Sequence, residues 1–389
     1  MAKVLRETIR FRRNCWIALL SEAMAPALRV YVARRAHRAQ TLPATWRRAV
    51  LLGADHIGDV LYNTPSMPAL KRGLPSCRFI FVAPPPADQI LETNPHVAGI
   101  IRMTSRPQTT SERKRLVNEL RAQSLDAAIC YNSGGYWRDL KLAVDAGIPN
   151  RVGYVHKGFS AWVTRPVPIR FPQPFAGYFR DLVTHLTGEA PPASLRPQIF
   201  PTSEDESQAS AVWDGIAAHP DRPLVACFVR TRQPLPVWPD KSFAECLRDV
   251  NAIATVILCG SARDAASLRA INALAGSVFP VVAGQLGLRA LACFLRRCAA
   301  VLTVDSGPRH IANAAGVPTV FIRNLWFNRV EAGQYVETET DVAPDGECLA
   351  FAESRRRLVA LSPRTVAQAV AEILARTSVD GARLSTERR

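Results

Sequence analysis

The 389-residue sequence lacks the short motifs that mark several large classes of site. It has no D-x-D, no H-E-x-x-H and no Cys/His cluster with ligand spacing, so no metal centre is predicted. Its nine cysteines form no C-x-x-C pair, and Cys130, Cys227 and Cys259 lie within apolar segments. Such cysteines are typical of buried thiols in a reducing compartment and do not indicate a disulfide scaffold.

Glycine-rich nucleotide fingerprints are also missing. In GADHIGDVLYNTP, Gly53 and Gly58 are five residues apart, no third glycine completes a dinucleotide motif, and no P-loop lysine follows. The composition, with 48% hydrophobic and 21% charged residues, is that of a folded protein. The length favours two domains.

Positive charge is concentrated at one end of the chain. The net charge is +16, and residues 1–48 hold eleven Lys and Arg against two Glu, so 11 − 2 = +9. The other 341 residues carry only +7. A uniformly basic nucleic-acid-binding protein would show a different distribution, so no nucleic-acid partner is expected. The pattern predicts a nearly neutral globular body with a basic N-terminal arm.

This arm, residues 1–48, contains the segment WIALLSEAMAPALRVYV (16–32), whose apolar residues recur at helical spacing from Trp16 to Tyr31. Glu22 interrupts the segment, and its unbroken apolar part is too short to span a bilayer. Three alternatives remain. The helix packs on the protein's own surface, or it lies on an anionic membrane. Ala23-Met24-Ala25 could also end a secretory signal, although the apolar core before it has only five residues.

From residue 49 onward, short apolar runs alternate with amphipathic helical stretches. This alternation predicts an α/β protein with parallel, doubly wound sheets. In the first half the predicted strands are 49–52, 78–83, 99–103 and 126–132, with helices at 87–92 and 111–123, the latter capped by Ser111. In the second half the predicted strands are 223–229, 254–260, 278–284, 300–305 and 319–322. The helices there are 242–250, 264–276, 288–298 and 310–316, and a last one begins at Ser362-Pro363.

Residues 165–208 break this rhythm because they are rich in proline and end in the acidic SEDES. The end of this stretch is predicted to be a linker. The predicted organisation is therefore an arm (1–48), a first Rossmann-like domain with its linker (49–208) and a second Rossmann-like domain with a final helix (209–389). The two domains are expected to face a central cleft, with ligands at the carboxyl ends of the strands.

The segment TVDSGPRHIANAAGVPTVFI (303–322) places Asp305, Ser306, Gly307 and His310 where a strand leads into a helix. The free N–H groups and the dipole of a helix N-terminus favour anions, phosphate above all. Gly307 allows close backbone approach, and His310 in the first turn can donate to a phosphate oxygen. The alternative is a capped helix without a ligand, since Asp and Ser are good caps.

A matching loop follows the first predicted strand, where Asp59 opens a helix. A helix N-terminus favours the ionised carboxylate, which can then accept a proton. The alternative is that Asp59 is only a cap.

Taken together, these segments resemble glycosyltransferase family 9, the heptosyltransferases of lipopolysaccharide core assembly. The resemblance spans residues 49–325. It rests on GDVLYNTPSMPALKRGLPSCRFIFVAPPPADQILETNPHVAGII, the turn NRVGY (150–154), VILCGSARD, VVAGQLGLRALACFLRRC and above all VDSGPRHIANAAGVPTVFI.

The resemblance implies a GT-B fold and a metal-independent transfer with inversion, in which Asp59 deprotonates the acceptor hydroxyl. It implies that Asp305, Ser306, Gly307 and His310 hold the diphosphate of a nucleotide sugar such as ADP-heptose. The acceptor would be a lipid-linked saccharide at the cytoplasmic face of the inner membrane, whose anionic surface would be a further partner. His56, Gly58, Asn63, Thr64 and Asn132 are assigned to the acceptor side.

Three positions depart from the family pattern. Gly53 stands where a basic residue is common, and RNLW (323–326) replaces the usual FG-P. No Lys or Arg comes just before Trp238-Pro239, so Arg230, Thr231 and Arg232 are assigned to the donor in place of the missing lysine.

Two other functions remain open from the sequence. One is a catalytically silent nucleotide-sugar or glycan binder on the same fold. The other is a basic membrane- or nucleic-acid-associated adaptor that uses the arm alone.

Overall fold

The structure is a computed structural model, and it describes residues 16–36, 40–104, 106–132, 136–156, 158–216, 222–232 and 235–386. The chain divides into two compact units, Met1–Leu195 and Arg196–Arg389. This division comes before the predicted boundary at 208/209. The helix Ser203–Asp214 lies in the second unit, where Asp205 Oδ2 is 2.9 Å from Arg289 Nε.

The first unit contains one parallel six-stranded sheet. Its strands are β1 (Arg48–Leu52), β2 (Arg78–Val82), β3 (Gly99–Ile101), β4 (Ala127–Cys130), β5 (Asn150–Tyr154) and β6 (Arg165–Val167), in the order β3-β2-β1-β4-β5-β6. The interior strands are almost wholly buried, as expected of a parallel sheet covered on both faces. The strand order reverses between β1 and β4, so the switch point lies at the carboxyl ends of these two strands.

After the arm, the described residues of this unit form the helices α3 (Ile57–Leu61), α4 (Met67–Gly73), α5 (Thr110–Ala122), α6 (Tyr136–Asp145) and α7 (Phe175–Thr187). The predicted helix at 87–92 is a short 3₁₀ turn, Ala87–Ile90. The predicted cap of α5, Ser111, is wrong. Thr109 Oγ1 accepts from Glu112 N at 3.1 Å, and the Glu112 carboxylate accepts from Thr109 N. This reciprocal capping box starts the helix earlier than the apolar pattern alone indicates.

Two strands of the sheet were not predicted. NRVGY forms β5 rather than a turn, because its Arg151 is buried and donates to the carbonyls of Trp162 and Ile148, both at 2.6 Å. Burial lowers the pKa of Arg151 to about 10. β6 lies within the proline-rich stretch and includes Pro166, which an edge strand tolerates.

The described part of the arm packs against the first unit through two helices, α1 (Trp16–Ala23) and α2 (Ala25–Ala33). Ser21 Oγ accepts from Phe159 N at 3.0 Å, and Tyr31 Oη donates to Asp145. Gly158 has a φ of +85°, and a Cβ there would lie 1.9 Å from Ser21 Oγ. The sequence at 158–160 therefore accommodates the arm, as the self-packing alternative requires.

The opposite side of α1 carries apolar side chains in solvent. Trp16, Leu19, Leu20 and Met24 are 64%, 63%, 60% and 56% exposed, and they follow one another at helical spacing. Among the described residues, no single helix has the length and hydrophobicity of a membrane span. Two pairs of helices reach that length and hydrophobicity only when the two helices are taken together, and both pairs are bent. They are α1 with α2, at 60°, and Phe351–Val359 with Pro363–Arg376, at 74°.

The second unit repeats the architecture with a second parallel six-stranded sheet. Its strands are β7 (Leu224–Phe228), β8 (Thr255–Gly260), β9 (Val281–Ala283), β10 (Ala300–Val304), β11 (Thr319–Ile322) and β12 (Glu339–Val342), in the order β12-β11-β10-β7-β8-β9. Here the order reverses between β7 and β10. Two such sheets with flanking helices confirm the predicted α/β class and the GT-B fold.

The described residues of this unit form the helices α8 (Ser203–Asp214), α9 (Asp240–Ile253), α10 (Ala265–Leu274), α11 (Leu288–Leu295), α12 (Gly307–Ala315), α13 (Arg329–Ala332), α14 (Phe351–Val359) and α15 (Pro363–Thr386). Helix α12 begins three residues before its predicted start at His310 and so includes Gly307 and Pro308. β12, α13 and α14 were not predicted, nor was α8, whose first residues were predicted to be a linker; Thr202 and Asp205 form the capping box that starts this helix. Cys130, Cys227 and Cys259 are buried free thiols, as predicted.

Candidate functional site

The loop after β1 lies at the switch point of the first sheet. Gly53 has a φ of +131°, and a Cβ there would lie 2.9 Å from Asn132 Cβ. Asn132, just beyond β4, donates from Nδ2 to Gly53 O at 3.3 Å. This close approach explains why the position holds glycine and not the basic residue common in the family.

Asp59 lies in the first turn of α3 with its carboxylate partly open to solvent. Its Oδ2 accepts from the backbone N–H groups of Asp55 at 3.2 Å and of His56 at 3.0 Å, and it is 3.1 Å from His56 Nδ1. The side chains of Asp59 and His56 are 32% and 49% exposed. The hydrogen bond to Asp59 raises the pKa of His56, although burial opposes this. The hydrogen bonds from the described residues all reach Oδ2, which leaves Oδ1 for another donor.

A second acidic residue supports this loop and was not predicted. Asp55 Oδ2 is 2.6 Å from Arg106 Nε, and Asp55 Oδ1 accepts from Thr104 Oγ1 at 2.8 Å. The Asp55 side chain is 8% exposed. Because its partners come from the segment after β3, about fifty positions along the chain, no local pattern could reveal the pair.

The residues assigned to the acceptor side do not share one environment. Gly58 lies within α3, next to Asp59. Asn63 and Thr64 are buried, at 3% and 1% exposure, where Asn63 Nδ2 donates to Asp59 O and Thr64 Oγ1 donates to Leu61 O. Both side chains therefore close the end of α3 and hold the helix that carries Asp59.

In the second unit, β10 leads directly into α12. Ser306 is the extended N-cap residue, and its Oγ lies 3.2 Å from Val304 O, so it makes no side-chain cap. Gly307 and Pro308 form the first helical positions. In this first turn Pro308 has no N–H and Arg309 N donates to Ser306 O at 3.1 Å. The turn therefore offers an anion the Gly307 N–H and the positive end of the helix dipole.

Behind this turn lies a buried ionic cluster. Arg309, with no exposed side-chain surface, pairs with Glu339 Oε1 at 2.5 Å and with Asp305 Oδ1 at 2.9 Å. It also donates to the carbonyls of Ala332 at 2.8 Å and Gly333 at 2.6 Å. Burial raises the pKa of Asp305 even though Arg309 opposes the shift. Arg309 was not among the predicted site residues, because its partner Glu339 is thirty positions away.

His310 is almost fully buried, with 5% of its surface exposed. Its Nδ1 lies 2.8 Å from Tyr335 Oη. Burial lowers the pKa of His310 well below its usual value, and the charge of Arg309 lowers it further.

A pocket opens at the switch point of the second sheet. It is lined by Thr231 after β7, Asp305 after β10, Arg323 and Asn324 after β11, and the segment Leu235 to Trp238. Arg230 does not line it, and Arg232 is exposed. Of the predicted donor residues, the structure thus brings together Thr231 and Asp305, with α12 beginning beside them. In the described part of the chain, no group of three His, Cys, Asp or Glu side chains could hold a metal ion.

Residues 113–322 match the profile of the family described as Glycosyltransferase family 9 (heptosyltransferase). Lipopolysaccharide heptosyltransferase 2 of Salmonella typhimurium is 25% identical over 294 residues, which is 70% of this chain and 81% of that protein. The family match includes β4 to β11 and therefore the loop 305–310.

Solved structures agree with the fold. A glycosyl transferase family 9 protein from Veillonella parvula superimposes with a TM-score of 0.72 at 20% identity, over 87% of this chain and all of that one. The E. coli ADP-heptose lipopolysaccharide heptosyltransferase II gives 0.66 at 18% identity, over 85% and 99%. An iron-containing dodecameric glycosyltransferase from enterotoxigenic E. coli gives 0.51 at 13% identity, over 88% and 81%.

Proposed function

The chain belongs to glycosyltransferase family 9, and we propose that it transfers a heptose from ADP-heptose to a saccharide of the lipopolysaccharide core. Membership makes it a glycosyltransferase with a nucleotide-sugar donor. We propose in addition the identity of the sugar and of the acceptor, inversion at the anomeric carbon, and independence from metal ions. ADP-heptose is the first choice because it is the donor named for the E. coli structure of the same fold.

The observation that carries the proposed mechanism is the environment of Asp59. Two backbone N–H groups and His56 Nδ1 all contact Oδ2, which fixes the carboxylate at the start of α3 and leaves Oδ1 for the acceptor hydroxyl. In the proposed step, Asp59 takes the proton of the acceptor hydroxyl while that oxygen bonds to the anomeric carbon. The bond from that carbon to the diphosphate oxygen breaks, and its electron pair leaves with the diphosphate. Attack opposite the leaving group inverts the configuration.

The developing negative charge on the diphosphate is proposed to rest on the first turn of α12. Fixed N–H donors that face growing charge stabilise a transition state without reorganisation. Thr231, which lines the same pocket as Asp305, offers a hydroxyl to the phosphates. The chain thus supplies neutral and backbone donors of its own, which supports a reaction without a metal ion.

The arm is proposed to hold the enzyme against the cytoplasmic face of an anionic membrane. Trp16, Leu19 and Leu20 on α1, with Met24 directly after it, form an exposed apolar stripe, within a segment whose net charge is +9 by sequence. Basic residues attract an anionic leaflet by about 1 kcal/mol each, and apolar side chains insert at the interface. A lipid-linked acceptor would then be concentrated near the enzyme.

A donor screen tests the proposal. The purified protein is incubated with nucleoside diphosphate sugars, including ADP-heptose, and a lipopolysaccharide-core acceptor, with and without EDTA, and products are followed by mass spectrometry. We expect ADP release and an acceptor heavier by one heptose, unchanged by EDTA. Nucleotide binding without transfer would favour a silent binder, and loss of transfer in EDTA would contradict metal independence.

A further inference from the structure

The cation that the sequence leads one to expect at the donor diphosphate does not come from Arg230. Its Nη2 is 2.7 Å from Asp240 Oδ1, its Nε donates to Ser267 Oγ at 3.0 Å, and its Nη1 donates to Val229 O at 3.0 Å. These contacts tie the end of β7 to α9 and α10. Arg230 thus has a structural role that accounts for its guanidinium.

Arg323, at the end of β11, has different surroundings from those of Arg230. Only 3% of its surface is exposed, yet it lines the pocket with Asp305 and Thr231. Its Nε donates to Asp341, at 2.9 Å to Oδ2 and 3.2 Å to Oδ1. Its Nη1 is buried and has no hydrogen-bond partner among the described residues. A buried N–H group left unsatisfied destabilises the folded protein, so an acceptor is expected there.

The surroundings hold Arg323 at the edge of the pocket. Its neighbour Asn324 donates from Nδ2 to Pro236 O at 3.2 Å, which fastens the loop before Trp238 to the end of β11. On the other side, Asp341 also contacts Arg329 Nε at 3.4 Å. Asp341 therefore faces two guanidinium groups, while the Asp305 carboxylate in the same pocket shares Arg309 with Glu339. The charges of this region balance, so it is the buried Nη1 without a partner, and not an excess of positive charge, that calls for an acceptor.

We infer that Arg323 is the donor-binding cation of this enzyme and that its Nη1 donates to the diphosphate of the nucleotide sugar. The assignment rests on the proposed function and identifies a residue for it. Hydrogen bonds from a guanidinium to phosphate are charge-assisted and among the strong ones. The diphosphate would lie between Nη1 and the first turn of α12, where two kinds of donor meet the leaving group.

The test compares two arginines that share Asp341. Arg323→Gln removes the buried, pocket-lining guanidinium, and Arg329→Gln removes one whose side chain is 68% exposed. Calorimetric titration measures the affinity of each variant for ADP and for adenosine. We expect Arg323→Gln to weaken ADP binding about 10- to 100-fold, the range for a hydrogen bond to a charged group. Adenosine binding should stay within about twofold, and Arg329→Gln should bind ADP as the wild type does.

Arg323→Gln leaves Asp341 buried without its main partner, so the double variant Arg323→Gln/Asp341→Asn is measured as well. It removes both charges and leaves no buried carboxylate without its cation, and we expect the same selective loss of ADP affinity. ADP affinity within about threefold of the wild type in the double variant would overturn the assignment while leaving the proposed function intact. A wild-type protein that binds no nucleoside diphosphate would overturn the proposed function, and this assignment with it.

Discussion

His56 Nδ1 lies 3.1 Å from Asp59 Oδ2, so the proposed base carries a titratable partner of its own. The hydrogen bond raises the pKa of His56 above its usual value of 6.5. The protonated imidazole holds Asp59 in place, and the neutral ring holds it less strongly. The pair therefore couples the position of the carboxylate to pH.

The first prediction concerns this coupling. A base whose pKa is raised by folding adds stability below its unfolded pKa and loses it as pH rises through the folded pKa. We expect His56→Asn to lower the melting temperature at pH 6 and to have little effect at pH 9, as measured by calorimetry. In an Asp59→Asn background the pH-dependent difference should shrink. An equal effect at both pH values would mean that the pair has no electrostatic role.

A second prediction concerns Gly53. Its φ of +131° and the 2.9 Å approach of a Cβ to Asn132 leave no room for a side chain. Gly53→Ala and Gly53→Arg, the latter restoring the family's basic residue, should each destabilise the protein by about 1–3 kcal/mol. Thermal unfolding measures this, with Gly188→Ala as control, since nothing lies within 4 Å of a Cβ there and its φ is also positive, +75°. Equal losses at the two positions would show that only the backbone conformation matters.

A third prediction concerns Arg309, whose removal leaves Glu339 buried without its cation. Breaking a buried pair costs about 3–5 kcal/mol, so Arg309→Met should shift the unfolding midpoint strongly in urea. The control is Arg196→Met, which removes a surface partner of Glu337 and should cost about 0–1 kcal/mol. Similar midpoints for both variants would contradict a structural role for Arg309.

A fourth prediction concerns the arm. Leu19→Glu/Leu20→Glu places charges on the exposed stripe of α1 and should abolish sedimentation with anionic vesicles, while the wild type binds less as salt rises. Leu274→Glu is the control, because Leu274 is 46% exposed but lies on α10 in the second unit. Transfer to a soluble acceptor should be normal in both variants. Vesicle binding that survives the double substitution would exclude this stripe as the membrane contact.

The sequence patterns predict those elements whose burial follows from their own apolar residues. Most strands of both sheets are short apolar runs, and each was predicted to within a few residues. β12 was missed because Glu339 and Asp341 are acidic, and they are buried only because Arg309 and Arg323 neutralise them. Its identity as a strand depends on partners that are distant in sequence.

The same distinction applies to the site. Asp59 and the loop 305–310 stand next to predicted strand ends, where the position of a residue along the chain indicates its place in the fold. Sequence spacing could not show that Tyr335 covers His310, that Arg230 turns toward Asp240 or that Asp55 pairs with Arg106. Each of these contacts joins two segments that are brought together only when the chain folds.

The most direct test of the account is the rate of acceptor-dependent ADP release from ADP-heptose by the wild type and by Asp59→Asn. Asn keeps the size of the side chain and an oxygen for the backbone N–H groups but cannot accept the acceptor proton. We expect turnover to fall by about 10²-fold or more with ADP affinity unchanged, and the wild-type product to show inverted anomeric configuration. Turnover of Asp59→Asn within a few-fold of the wild type would contradict the mechanism.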